Sequence, residues 1–289
     1  MGRENVDLKK KMYSSSSISD MMGCPRLFYY NWVRNLEEKE ESPPLVFGSV
    51  FHEVLKCWYK TGDMEKSLEL FKKIPSNIMD DFHTREFGEA IFKKYVAKYE
   101  VEPYKVLYLE KQFIVGIGDR LYAGTVDEIA EWNGMIYIVD HKTTKSLGLS
   151  FFEGFRPNPQ IDGYCFACRE VCGSCAGAII NGVSKAKNPK DRFQRYPSSR
   201  TDKEMDNWRV VFTDWTDFIE ACIATEKWPM NTGHCYKWFK KCKYWDLCVY
   251  GDDQRLVDAK FNVRKEEENE DKGEGSGNTE RPVNAEGSK

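Results

Sequence analysis

The sequence predicts an α/β protein: a mixed β-sheet flanked by helices, with a helical lobe ahead of it and a compact cysteine-bearing knuckle behind it. Three observations predict this class. Phe87, Ile91, Tyr95 and Tyr99 repeat every four residues, the spacing of a helix face. From Lys105 the period drops to two, through KVLYLEKQFIV, RLYAGTVDEIAEW and GMIYIVD. A helical period then returns in NPQIDGYCFACREVC, so helices and strands are interleaved along the chain.

Taken in order, residues 1–16 are polar and expected to be flexible. SSISDMMGCPRLFYYNWV reads as a helix starting near Ser17 or Ser19, with Pro25 able to bend or restart it. Pro43 and Pro44 make a break, after which a helix runs through His52; residues 65–73 form a short helix and Arg85–Tyr99 a stronger one. Three strands follow, the last two joined by Asn133-Gly134, a type I′ hairpin signal because both residues tolerate positive φ. Asn158 caps the next helix, with Pro159 in its first turn. AGAIINGV and NWRVVFT read as further strands. DWTDFIEACIATEKW reads as a helix with Trp215, Phe218, Ile219, Cys222 and Ile223 on one face. The expected organisation is a helical lobe at 17–100, a sheet core at 101–228, a knuckle at 229–263 and a disordered acidic tail at 264–289. No internal repeat is present.

The formal net charge of −3 gives no support to a nucleic-acid partner by itself, but the charge is uneven. Five basic and eight acidic side chains between Arg264 and Lys289 carry all of it, which leaves the body near neutrality. No apolar run is long enough to span a membrane. MGRENVDLKKKMY lacks the apolar segment of a secretory signal, and valine stands where a myristoylation signal needs Ser or Thr. The expected compartment is the reducing cytoplasm, where ten cysteines serve as core filling or metal ligands rather than as a disulfide framework.

The chemistry concentrates in GTVDEI and YIVDHKTTK. Asp140 and Lys142 lie two apart on an extended segment and leave the same face, whereas His141 points the other way. Counting back through the hairpin turn sets Asp127 directly across from Asp140. Two carboxylates so placed repel unless a cation lies between them, and oxygen ligands suit Mg²⁺ or Mn²⁺. A lysine beside such a cation can orient a water or stabilise charge on a transferring phosphoryl group. D-x-K alone is a loose pattern; the opposed aspartate gives it weight.

The cysteines divide in two. Cys165, Cys168 and Cys172 fall with Ile161, Tyr164 and Val171 on one helical stripe, and thiols spread over two turns of one helix do not converge on a metal; these, Cys175, Cys57 and Cys222 read as core. Cys235, Cys242 and Cys248 lie in a short aromatic and lysine-rich segment, CYKWFKKCKYWDLC, too small to be held by apolar packing alone. Three thiolates are an incomplete tetrahedral set. Spacing does not choose the fourth ligand, for which His234 is a local candidate.

GTVDEI, IVDHKTT and QIDGY resemble the GxxD, (D/E)xK and QxxxY motifs of the PD-(D/E)xK nuclease superfamily, in its RecB-like and CRISPR-associated exonuclease branch. His52 in FGSVFHEVL is similar to that branch's N-terminal histidine motif, and GCPRLFYY to the N-terminal cysteine motif of members that carry a [4Fe-4S] cluster. The resemblance runs from about residue 17 to 248. It implies a restriction-endonuclease-like core with Asp127, Asp140 and His52 as ligands of Mg²⁺ or Mn²⁺, and Lys142 as the catalytic lysine. Gln160 and Tyr164 would contact the DNA backbone or support that lysine. Cys24, Cys235, Cys242 and Cys248 would hold the cluster, although the six-residue gap departs from the close CxxC of several members and leaves a structural Zn²⁺ open.

The implied function is a metal-dependent DNA exonuclease acting at free ends or single-stranded regions, in recombination, repair, phage replication or CRISPR adaptation. Its setting would be a bacterial, archaeal or phage-infected cell, with a protein partner allowed. The competing readings are a silent DNA-binding or assembly module on the same fold and a zinc-binding nucleic-acid protein. The inward direction of Glu110 on the neighbouring strand is undetermined by sequence, and it stays outside the expected catalytic set.

Overall fold

The computed structural model describes residues 11–40, 42–80, 83–237 and 240–264; the expected acidic tail beyond Arg264 and the first ten residues lie outside them. The chain enters through β1 (Met12–Tyr13), α1 (Ser15–Gly23) and α2 (Pro25–Phe28), followed by a π-helical turn over Tyr29–Val33 and β2 (Leu36–Glu38). The helical lobe comprises α3 (Pro43–Thr61), α4 (Met64–Glu69) and α5 (Arg85–Lys98). The sheet is built from β3 (Lys105–Ile117), β4 (Arg120–Trp132) and β5 (Met135–Thr144), then α6 (Leu149–Glu153), α7 (Pro159–Cys172), β6 (Gly177–Ser184) and β7 (Phe193–Ser199). It is closed by α8 (Asp202–Thr225). The knuckle holds β8 (Tyr236–Lys237), β9 (Lys240–Lys241), α9 (Trp245–Tyr250), α10 (Gln254–Lys260) and β10 (Phe261–Val263).

Local chemistry explains most boundaries. Ser14 caps α1 in a reciprocal box with Ser17, and Cys24 is extended, so Pro25 restarts the helix. Residues 11–16, expected to be flexible, are therefore ordered: Met12 and Tyr13 pair in parallel with Leu121 and Tyr122 of β4. The signal was too short to read, because a two-residue strand has no period. Asn133 and Gly134 both take positive φ, 52° and 75°, as the type I′ turn requires.

The expected strand at NWRVVFT is a helix. Thr201 and Glu204 form a capping box, and α8 runs unbroken from Asp202 to Thr225. Its Val-Val pair suggests a strand, but Trp208, Phe212, Thr216 and Ile219 follow the helical step and bury against the core, while Val210 and Val211 face outward. The strand pairing with β6 is instead β7. Phe218 is likewise exposed rather than on the buried face.

The six-stranded sheet runs β1-β4-β5-β6-β7, with β3 pairing β4. β5 and β6 are parallel; β3–β4, β4–β5 and β6–β7 are antiparallel. One face packs on α1, α7 and α8 through the largest core, which includes Tyr122, Ile138, Ile161, Cys165, Trp208 and Phe212. The lobe helices α3 and α5 form a second core of Phe47, Phe51, Val54, Phe71, Phe92 and Tyr95 that reaches Val183 of β6. A mixed sheet between helical layers is the restriction-endonuclease-like architecture. Cys165, Cys168, Cys175 and Cys222 are buried in the first core, as their spacing predicts. Cys57 of α3 is only half-buried; on α7, Cys172 is half-buried and Val171 exposed, because the buried stripe is narrower than its steps of three and four suggest.

Candidate active site

The hairpin sets the register on which the site depends. β4 and β5 pair from Trp132↔Met135 to Glu128↔Val139, and one step further Asp127 stands across from Asp140. There the ladder ends. β5 continues to Thr144 with only β6 beside it, while β4 keeps β3 on its other edge and next meets β1 at Tyr122. The two aspartates thus occupy the point where the sheet forks. The His141 backbone N–H, freed from the ladder, donates to Asp127 Oδ2 at 2.8 Å.

Asp140 is 2% exposed, and its Oδ2 lies 2.8 Å from Lys142 Nζ without accepting a hydrogen bond. Burial pushes its carboxyl up to about 6, with the Asp127 charge adding and Lys142 opposing. Burial alone would lower Lys142; the Asp140 carboxylate outweighs it and holds the amine above its usual value. Lys142 Nζ also donates to Gln160 Oε1 at 3.0 Å, and Gln160 Nε2 donates to Tyr164 OH at 3.3 Å. Asn158 Oδ1 accepts the N–H groups of Gln160 and Ile161, which fixes the first turn of α7 and hence the glutamine. Gly124 of GTVD explains its own smallness: a Cβ there would meet Phe113 at 2.9 Å and Tyr164 at 3.3 Å.

His52 arrives from α3, with Nδ1 3.6 Å from Asp127 Oδ2. Burial lowers its imidazole to about 4 despite that carboxylate, so at neutral pH the ring is uncharged and carries a free electron pair. All six residues singled out for catalysis or metal binding therefore meet at the fork, in a linked set from His52 to Tyr164. His141 turns to the other face, as its place in D-x-K requires.

Glu110 is the residue the sequence left aside. Leu109↔Glu128 and Lys111↔Val126 set it across β4 from Asp127. It lines a cleft of about 500 Å³ together with His52, Lys56, Asp127, Thr143 and Lys185. Its φ is +48°, rare for glutamate inside a strand, and Lys56 Nζ lies 3.3 Å from its Oε2. Alternation along β3 could not reveal its direction, because the β3–β4 register shifts between Val106 and Tyr108.

At the other end of the molecule, Cys24, Cys235, Cys242 and Cys248 line one small cavity, with His234 beside them. Cys24 Sγ accepts from the Asn231 N–H at 3.2 Å, and the Cys242 N–H donates to Cys235 O at 2.9 Å. Burial raises the Cys242 thiol and pushes Cys248 up to about 11, with the neighbouring sulfurs adding to the effect. The cavity sits on a core where Cys24, Leu27, Tyr30 and Leu36 meet Tyr244, Leu247, Val257 and Phe261. Pairing of β2 with β10 closes the same region. Trp238 and Phe239 lie outside the described residues.

Among the described residues, no three His, Cys, Asp or Glu side chains stand close enough, as placed, to hold a metal ion. The donor chemistry fits metals at both places. At the fork, a carboxylate oxygen buried without a hydrogen bond and a neutral imidazole suit a hard divalent cation. At the cavity, four sulfurs suit a cluster or zinc.

No curated protein matches the chain. A crystal structure named "Putative exonuclease" from Eubacterium rectale has a TM-score of 0.54 at 18% identity, covering 86% of this chain and 98% of that one. A second solved structure, of SSO0001, covers 74% of this chain and 79% of its own at 14% identity, with a TM-score of 0.31. The family model of the PD-(D/E)XK nuclease superfamily matches residues 12–249, from β1 through the sheet fork to the last cysteine, and the chain belongs to that superfamily.

Proposed function

We propose that the chain is a metal-dependent DNA exonuclease of the RecB-like type. The observation that carries this reading is the fork, where Asp127, Asp140 and Lys142 meet with His52 on one side and Gln160 on the other. Asp127, Asp140 and His52 would hold Mg²⁺ or Mn²⁺, which when bound supplies Lewis-acid stabilisation of a phosphodiester under attack. Lys142, kept protonated by Asp140 and aimed by Gln160, orients the attacking water and offsets charge on the phosphate oxygens. Tyr164 holds Gln160 in turn. Lys185 at the cleft wall offers a cation to an adjacent phosphate of the strand.

The four cysteines would hold a [4Fe-4S] cluster with a structural role, tying the N-terminal helices to the knuckle; a zinc ion with the same ligands is the alternative. Exonuclease action agrees with the name borne by the Eubacterium rectale relative. The pathway would be one that processes DNA ends.

The test is cleavage of end-labelled single- and double-stranded DNA by anaerobically purified protein, with Mg²⁺, Mn²⁺ or EDTA, beside the Asp127→Ala, Asp140→Ala double variant. Products that need the metal and vanish in the variant establish the nuclease. No cleavage by protein with its metal content intact returns the reading to a DNA-binding or assembly module.

A further inference from the structure

The x of this D-x-K is a histidine with two jobs. Its main chain faces the fork and supplies the N–H that Asp127 accepts; among the described residues no other hydrogen bond reaches that carboxylate. Its side chain faces the opposite side of the sheet and is 4% exposed. There His141 Nε2 lies 2.9 Å from Glu128 Oε1, and Nδ1 lies 2.7 Å from Asn181 Nδ2. The amide nitrogen can only donate, so Nδ1 accepts and Nε2 carries the proton toward Glu128. The ring is stacked on Tyr59 of α3, with centroids 5.8 Å apart and planes at 10°.

The contacts continue outward. Asn181 Nδ2 donates to Tyr95 OH at 2.8 Å, Tyr95 OH meets Tyr59 OH at 2.8 Å, and Arg195 donates to both phenols while pairing with Glu102. One polar network thus ties β4, β5, β6 and β7 to α3 and α5. It is an expensive way to fill a core: Glu128 and Asn181 are fully buried, and Glu128 Oε2, Asn181 Oδ1 and Arg195 Nε make no hydrogen bond. Apolar side chains of similar volume would do the packing at less cost. What they would not do is fix the plane of the peptide that points at Asp127.

The same network sets the second side of the site. Tyr59 and His52 stand two turns apart on one face of α3, and the His52 and His141 rings meet edge-on at 6.0 Å. Holding Tyr59 on His141 therefore holds His52 at its 3.6 Å from Asp127.

We propose that His141 is the positioning residue of this site: its side chain, locked by Glu128, Asn181 and Tyr59, aims its own backbone N–H at Asp127 and keeps α3 where His52 meets the same carboxylate. This rests on the reading of the fork as a Mg²⁺ or Mn²⁺ site. No contact of His141 with substrate is implied.

The experiment is titration of the full chain with Mn²⁺ alone, followed by electron paramagnetic resonance, for wild type, His141→Leu and His141→Gln. Thermal melting is run beside it, with cleavage rates at low and saturating Mn²⁺. Leucine keeps the volume but leaves the Glu128 carboxyl buried without its partner, so the variant is expected to melt below wild type, and its Mn²⁺ affinity falls by about tenfold to a hundredfold, the range for outer-shell partners. Cleavage lost at low Mn²⁺ returns at saturating Mn²⁺, and glutamine, which can donate to Glu128, recovers part of the affinity. If His141→Leu does not fold, Tyr59→Leu is read in the same way. A folded variant with wild-type Mn²⁺ affinity overturns the inference alone. Wild-type protein that binds no Mn²⁺ overturns the reading of the fork, and this inference with it.

Discussion

The sheet fork and the cysteine cavity are both small groups of donor side chains, and they are assembled by opposite means. At the fork, Asp127, Asp140 and Lys142 come from one hairpin, and a two-residue turn sets their register. At the cavity, Cys24 meets Cys235, Cys242 and Cys248 from the far end of the chain, brought together by a packed apolar core, the β2–β10 pairing and the Asn231 N–H bond to Cys24. The fork is a product of local geometry that the rest of the fold refines. The cavity exists only when the whole chain has closed. Damage to the first should remove chemistry and spare the fold; damage to the second should do the reverse.

The largest expected effect breaks the fork. Asp140→Ala should lower cleavage by ~10³-fold or more, several kcal/mol of charge stabilisation, with the circular dichroism spectrum unchanged. A variant that loses its fold instead would make the carboxylate a structural element and dissolve the contrast. Next, Cys24→Ser should cost about 3 kcal/mol of stability and remove the bound iron or zinc, read by melting and metal analysis. Its fork should keep wild-type Mn²⁺ affinity. If metal content survives Cys24→Ser but disappears in His234→Ala, the fourth ligand is the local histidine.

Lys142→Met should slow cleavage by ~10²-fold at saturating substrate while leaving DNA binding in EDTA near wild type. Cys168→Ala sharpens the comparison from the other direction. Its thiol is buried in the first core, so about 1–2 kcal/mol of stability should go with no change in metal content. The smallest effect is at the cleft wall, where Lys185→Ala should reduce the slope of log affinity against log salt by ~0.9 for duplex DNA, measured by fluorescence anisotropy without divalent metal.

The same contrast decides what could be read in advance. Gln160 beside Lys142 is implied only by the QxxxY resemblance, whereas Asp127 opposite Asp140 follows from counting residues around Asn133-Gly134, and the start of α7 from the cap at Asn158. Such features are set within about twenty residues of chain, so period and turn chemistry suffice. Glu110 escaped because its strand carries a register shift and its own φ is positive, and alternation fails at both. β7 escaped because Phe193–Ser199 contains Arg195 and Pro197 at the sheet edge, while the β-branched pair at Val210-Val211 sits on the outer face of a helix. The buried network around His141 draws single residues from six elements, and no window of sequence contains it.

The β2–β10 pairing sets a clock on biosynthesis. Leu36–Glu38 finds its partner only in Phe261–Val263, and 222 residues lie between Glu38 and Phe261. At translation rates of roughly 5–20 residues per second, that is about ten to forty-five seconds in which Tyr30 and Leu36 have been made and the Tyr244 and Phe261 that cover them have not. The fork, by contrast, has both its strands within seconds of each other. Each nascent chain therefore acquires its hairpin of carboxylates well before Tyr30 and Leu36 are covered, and carries that apolar face open almost to the end of synthesis.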